Sequence, residues 1–138
     1  MGDGPLKDRL LFHRKEDRTE VVNAFKAFPP ESGKILVGCG LEEGLDLIGD
    51  LARFQVIVKV PWPSLEEPAI RYMAGQDSEW YNWQTVKKLL QASGRIVRSI
   101  SDYGETFIID SSFQRLYDEA RDMFPQWWLD ALVQEDIE

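Results

Sequence analysis

Gln91, Arg95 and Arg98 stand at spacings of four and three within the stretch Gln91-Ala92-Ser93-Gly94-Arg95-Ile96-Val97-Arg98. On a helix advancing 100° per residue, side chains so spaced project within about 60° of one another. One face would then carry a polar amide and two fixed cations. Guanidiniums stay charged at any working pH and offer planar forks of donors, so two of them aimed at one point suit a polyphosphate. A solvated basic edge, salt-bridged to an acidic chain, is the competing account. Gly94 favours a site, because glycine inside a helix costs about 1 kcal/mol relative to alanine and marks a close backbone approach.

Other residues could also meet a ligand. Arg14, Lys15 and Arg18 come after the apolar run Leu10-Leu11-Phe12-His13, at the kind of strand end where open α/β sheets bind ligands. A phosphate contact at Arg14 and a solvated loop both fit. His13, a lone histidine, reads first as a structural hydrogen-bonding residue. Trp62 is held between Pro61 and Pro63, where a flat ring stacks on a base or packs against the next helix. The loop Gly38-Cys39-Gly40-Leu41-Glu42-Glu43-Gly44 departs from G-x-G-x-x-G, and its paired glutamates lie where a pyrophosphate would approach. Ser32-Gly33-Lys34 lacks the earlier glycine and the following Ser or Thr of a Walker A loop. With one cysteine, Cys39, and one histidine, neither an internal disulfide nor a bound metal is expected.

Periodicity assigns the strands and helices on which these residues would sit. Strands are expected at 10–13, 34–37, 54–60 and 106–110, the third so continuously apolar that it should be covered on both faces. Helices are expected at 19–28, ended by Pro29-Pro30, and from Ser64 to about Ala74, stopped by Gly75. A long helix capped by Asp77 or Ser78 should carry the arginines, with Trp80, Trp83, Val86, Leu90, Ser93 and Val97 as its buried stripe. Trp80, Tyr81 and Trp83 accordingly read as core rather than as a base-stacking box. Helices at 112–123 and 125–133 complete the chain. Strands separated by helical crossovers imply an α/β fold with a mostly parallel sheet and helices on both faces. Residues 1–9 read as a flexible lead-in, 10–133 as one lobe and 134–138 as an acidic tail.

The chain has 138 residues, 43% of them apolar, including five tryptophans, which excludes a disordered chain and allows one real core. A net charge of -8 disfavours indiscriminate attraction to nucleic acid, so any contact with DNA must come from a local patch. The first residues form no signal-like apolar segment, and nowhere do about 20 apolar residues run together. A soluble protein is expected, cytoplasmic or, in a eukaryote, nuclear, with no membrane partner.

The pattern Q-A-x-G-R-x-x-R at 91–98 resembles motif VI of superfamily 2 helicases of the XPD/DinG branch. Glu42-Glu43-Gly44-Leu45-Asp46 resembles motif V of that branch. Gly49-Asp50-Leu51-Ala52-Arg53-Phe54-Gln55 and Lys59-Val60-Pro61-Trp62-Pro63-Ser64 resemble the family's segment after motif V, and Asp102-Tyr103-Gly104 with Ile108-Ile109-Asp110 is similar to its segment just beyond motif VI. These ordered matches cover roughly residues 10 to 130.

The resemblance implies the C-terminal lobe of an ATP-dependent DNA helicase, a RecA-like three-layer sandwich. It implies that Arg95 and Arg98, with Gln91 and Gly94 beside them, reach the γ-phosphate of an ATP held between two lobes. Gly44 would turn the motif V loop, Asp46 would bond the ribose, and Glu43 would orient the arginines or couple nucleotide to DNA. His13 matches a histidine of the motif IV region, and with Arg14, Gly40 and Trp62 it would border a single-stranded DNA track. Gly40 departs from the serine most relatives carry, leaving only its backbone N–H for that role. ATP with Mg2+ would be held mainly by an N-terminal RecA-like lobe of the same polypeptide, so the isolated domain should be inactive. Many relatives hold an iron–sulfur cluster in that first lobe, and none is expected in this segment. DNA repair is the implied setting. The alternatives are a catalytically inert helicase-like scaffold and an unrelated nucleotide-binding α/β protein.

Overall fold

A computed structural model describes residues 5–41, 45–47, 49–97 and 100–134. The fold is mixed α/β, with parallel strand pairing, and divides into two compact units. One comprises Met1–Val56 and Gln91–Phe107, the other Ile57–Leu90 and Ile108–Glu138.

In the first unit a single helical turn, α1 (Leu6–Arg9), runs into strand β1 (Leu10–Phe12). Regular structure therefore starts inside the expected lead-in: Pro5 precedes the first turn and its carbonyl accepts the Asp8 N–H at 2.8 Å. A crossover helix, α2 (Arg18–Ala27), comes next and ends before the two prolines as expected. Strand β2 (Ile35–Val37) then pairs parallel to β1, Leu10 opposite Ile35 and Phe12 opposite Val37. Two tethers close this β-α-β loop: Arg9 Nε donates to Gly33 C=O at 2.7 Å and Lys34 Nζ to Asp8 C=O at 3.0 Å.

Strands β3 (Phe54–Ile57) and β4 (Glu105–Ile108) form a second two-stranded sheet. The Glu105 N–H bonds Arg53 C=O and the Ile109 N–H bonds Ile57 C=O, an equal advance along both strands that marks a parallel pair. The described strands thus make two separate pairs, each strand three or four residues long. Strand β3 is also shorter than expected and is not covered on both faces: Phe54 is 54% exposed and Val56 45%. Beyond it the Val60 N–H goes to Asp110 Oδ2 at 2.8 Å, and Pro61 has no N–H to give.

The second unit holds the main core. Helix α3 (Pro68–Gln76) starts later than expected, with proline in its first turn, and runs through Gly75 rather than stopping there. The break falls at Asp77, whose carboxylate accepts the Trp80 N–H at 2.9 Å and so caps helix α4 (Ser78–Ser93). Helix α4 buries Asn82, Thr85, Val86 and Leu89, a stripe rotated from the expected one. Trp83 lies 41% exposed, its ring beneath Lys87, and Val97 is exposed as well. Two small polar residues can take the inner positions because their groups are bonded: Thr85 Oγ1 donates to Tyr81 C=O at 3.1 Å, one turn back, and Asn82 Nδ2 to the distant Glu119 at 3.3 Å. Val86 and Leu89 pack with Leu116 and Ala120 of α5 (Ser112–Ala120) and with Phe124 and Trp128, the latter on α6 (Gln126–Asp130). The Phe124 and Trp128 rings stack at 4.7 Å. Both closing helices are shorter than expected, a 3-10 turn at Arg121–Met123 ending the first. Among the described residues no helix is long and apolar enough to cross a membrane.

Candidate functional site

The arginine-bearing stretch is a turn rather than a helical face. Helix α4 stops at Ser93, and the Arg95 N–H closes a tight turn onto Ala92 C=O at 3.2 Å. Gly94 lies exposed in that turn, so it ends the helix instead of marking a close approach within it. The Gln55 amide supports the ending, donating to the same Ala92 carbonyl at 2.9 Å and to Thr106 Oγ1 at 2.8 Å. Gln91 and Arg95 therefore do not share the helical face expected for them. Gln91 is exposed in the last turn of α4, and Arg98 lies outside the described residues.

Burial still fixes where Arg95 points. Ile96 is 1% exposed, and a Cβ on Gly104 would come within 2.6 Å of its Cδ1, so a side chain at 104 would force Ile96 to shift. Held there, Arg95 extends Nη1 to the Leu45 carbonyl at 3.4 Å. Leu45 and Leu47 are buried, and Asp46 between them is exposed and engaged by a neighbour. One of the two expected arginines thus meets the segment carrying Asp46. Glu43 and Gly44, the other candidates on that loop, lie outside the described residues.

At the end of the β1-β2 pair, His13 and Gly38 come directly after strands in parallel register. A Cβ on Gly38 would overlap His13 Nε2, so the ring rests on bare backbone. Its Nδ1 is 3.2 Å from Arg14 C=O, while Nε2 is buried with no hydrogen-bond partner. Arg14 is exposed, its N–H bonded to the Asp17 carboxylate, and Gly40 is exposed at φ 70°. His13, Arg14 and Gly40 therefore share one strand-end edge. Trp62 belongs to the other unit, where it stacks on Tyr81 at 5.5 Å, lies 4.5 Å from the Arg115 guanidinium and donates Nε1 to Ser112 Oγ at 3.0 Å. Burial raises the Tyr81 phenol above its ordinary pKa, and its hydroxyl donates to Pro63 C=O at 2.9 Å. Trp62 is packed against its own unit on at least one ring face.

Residues with no chemistry assigned from sequence form a dense polar cluster around Arg53. Arg53 Nε and Nη2 both donate to Asp50 Oδ1, at 2.9 and 2.6 Å, while Nη1 donates to Asp102 Oδ1 at 2.7 Å and Tyr103 C=O at 2.9 Å. The Tyr103 ring lies 4.0 Å from its guanidinium carbon. The bonds to Asp50, then to Asp102, hold the guanidinium above its already high pKa. In sequence the signal was no more than an arginine in a stretch of family resemblance. Among the described residues no three His, Cys, Asp or Glu side chains are grouped to hold a metal ion.

The family model described as the helicase C-terminal domain matches residues 3–131. The chain is also similar to regulator of telomere elongation helicase 1 homologs: 34% identical over 89 residues to that of Drosophila persimilis, and 31% over 87 residues to those of Drosophila ananassae and Drosophila melanogaster. Each similarity covers 54% of this chain and 9% of the relative, so the chain spans about a tenth of the proteins it matches. With the family matched over nearly its whole length, this chain belongs to the helicase C-terminal domain family.

Proposed function

We propose that the chain is the second motor lobe of an ATP-dependent DNA helicase, supplying Arg95 and Arg98 to an ATP site completed by another RecA-like lobe. The reading draws its main support from the reach of Arg95 to the Leu45 carbonyl, a contact between the Arg95 turn and the Leu45–Leu47 segment. A guanidinium there supplies positive charge where the transferred phosphoryl group spreads its negative charge over its equatorial oxygens. Asp46, exposed beside Leu45, would bond the ribose. Gln91, Glu43, Gly44 and Gly94 would shape the same edge, Glu43 by orienting the arginines. Mg2+ and most of the triphosphate would be held by the other lobe, so this chain alone would not turn over ATP.

The strand-end edge of His13, Arg14 and Gly40 would border single-stranded DNA, through the Arg14 guanidinium and the Gly40 backbone N–H. Trp62 would contribute only by whatever ring surface its packing leaves. Closure of the two lobes on ATP, followed by reopening after hydrolysis, would move the strand. The relatives' names, with helicase and telomere elongation in them, support DNA as the track.

In the two-lobed parent, Arg95→Ala and Arg98→Ala should each lower DNA-stimulated ATP turnover by about 10³-fold or more, with the melting temperature unchanged. Turnover within about twofold of the parent would refute the assignment and favour an inert scaffold.

A further inference from the structure

Two segments meet at Arg53. Asp50 lies in the short turn Gly49–Leu51, just after the Leu45–Leu47 segment, and Asp102 and Tyr103 lie just after the Arg95 turn. We propose that Arg53 is a positioning residue for Arg95: by holding the carboxylates of Asp50 and Asp102 with one guanidinium, it sets where the arginine-bearing turn lies against the Leu45–Leu47 segment. This rests on the role proposed above for Arg95.

The chemistry suits the task. Asp102 is 8% exposed and Arg53 30%, so this ion pair is sheltered, whereas Asp50 is 72% exposed. A partly buried fork resists the solvent screening that empties most surface pairs of value. Four N–H···O bonds leave the guanidinium one geometry, and lysine, a point charge with no fork, cannot make them all. The clamp then passes to Arg95 by packing. Asp102 and Tyr103 adjoin Gly104, whose missing side chain admits Ile96, and Ile96 is next to Arg95. Arg53 also accepts the Glu105 N–H through its own carbonyl at 2.9 Å, a bond any side chain at position 53 leaves in place. Side-chain substitution therefore loosens the turn while sparing the β3-β4 pairing.

The test is a cycle in the two-lobed parent. Arg53→Lys should lower kcat for ATP by about 10- to 100-fold, the scale expected when a reacting group is misplaced by an ångström. It should leave KM within about threefold, because the other lobe holds most of the nucleotide. In an Arg95→Ala background Arg53→Lys should have no further effect, since its action runs through that guanidinium. An equal loss in both backgrounds, or full activity of Arg53→Lys where Arg95→Ala is inactive, would overturn the positioning role. If Arg95→Ala itself proves fully active, the function assigned to Arg95 has failed, and amide exchange in the 138-residue chain decides about the clamp. Faster exchange of the Arg95 and Tyr103 N–H groups in Arg53→Lys, with α5 unchanged, sustains it; unchanged protection removes it.

Discussion

Asp110 shows how a single carboxylate can end one element and begin another. Its Oδ1 accepts the Ser112 N–H at 2.9 Å and its Oδ2 the Val60 N–H at 2.8 Å. Those two backbone donors, Ser112 first, lower its pKa below the ordinary carboxylate value against a smaller opposing effect of burial. A depressed folded-state pKa means stability that is present above the unfolded value of about 3.9 and lost as pH falls through it toward the folded value. Asp110→Asn, which turns an amide N–H2 toward one of the donors, should cost about 1 to 2 kcal/mol at neutral pH by urea unfolding. That cost should shrink steadily below about pH 4; a constant difference down to strong acid would mean the carboxylate charge is not what Val60 and Ser112 use. In the sequence Asp110 stands only within a stretch of family resemblance, with nothing to single out its partners. The same holds for Arg53, which could have met any of 24 acidic residues and whose partners are set only by folding. Gly104 was legible as part of a family pattern, but its reason, the room it leaves for Ile96, is a tertiary contact.

Helices and strands were legible to the extent that their signals were local. The β1-α2-β2 unit stems from two apolar runs and a pair of prolines, and the start of α4 from Asp77. Its end was not, because Gly94, Gln55 and the turn closed by Arg95 act together there, and Gln55 lies far away in the chain. The inner face of α4 differs from the expected stripe for a related reason. Hydrophobicity favours Trp83 over Asn82 and Thr85, yet the two polar side chains have their bonds satisfied in place, while the indole stands outside against Lys87. The two faces differ measurably. Leu89→Ala, at a fully buried position, should cost about 2 to 5 kcal/mol by circular dichroism in urea. Trp83→Ala, though it deletes the larger side chain, should cost less than about 1 kcal/mol. The reverse order would restore the stripe expected from hydrophobicity.

Across the whole molecule the apolar interior is unevenly shared. Val60, Val86, Leu89, Leu116, Phe124 and Trp128 gather in the second unit, whereas the buried hydrophobic residues described in the first are Leu45, Leu47 and Ile96. At about 25 cal/mol per Å2 of apolar surface removed from water, the second unit holds the greater part of the hydrophobic stabilisation contributed by the described buried residues. All five tryptophans, Trp62, Trp80, Trp83, Trp127 and Trp128, also lie in it. Indole fluorescence therefore reports on one unit, while far-ultraviolet circular dichroism sums both, since β1, α2 and β2 belong to the other. Unfolding in urea should then be non-coincident, ellipticity beginning to fall at lower denaturant than fluorescence. The early loss should correspond to the first unit opening as a low-stability segment, the behaviour expected where few apolar groups are buried and many backbone bonds face solvent. It also bears on the motor reading, because Arg53, Arg95 and the Leu45–Leu47 segment all sit in that unit. A nucleotide-binding edge carried by the weaker unit would gain order when ATP and the other lobe engage it, and ligand should then raise the first transition selectively. Superimposable transitions from the two probes would show instead that both units unfold as one cooperative body.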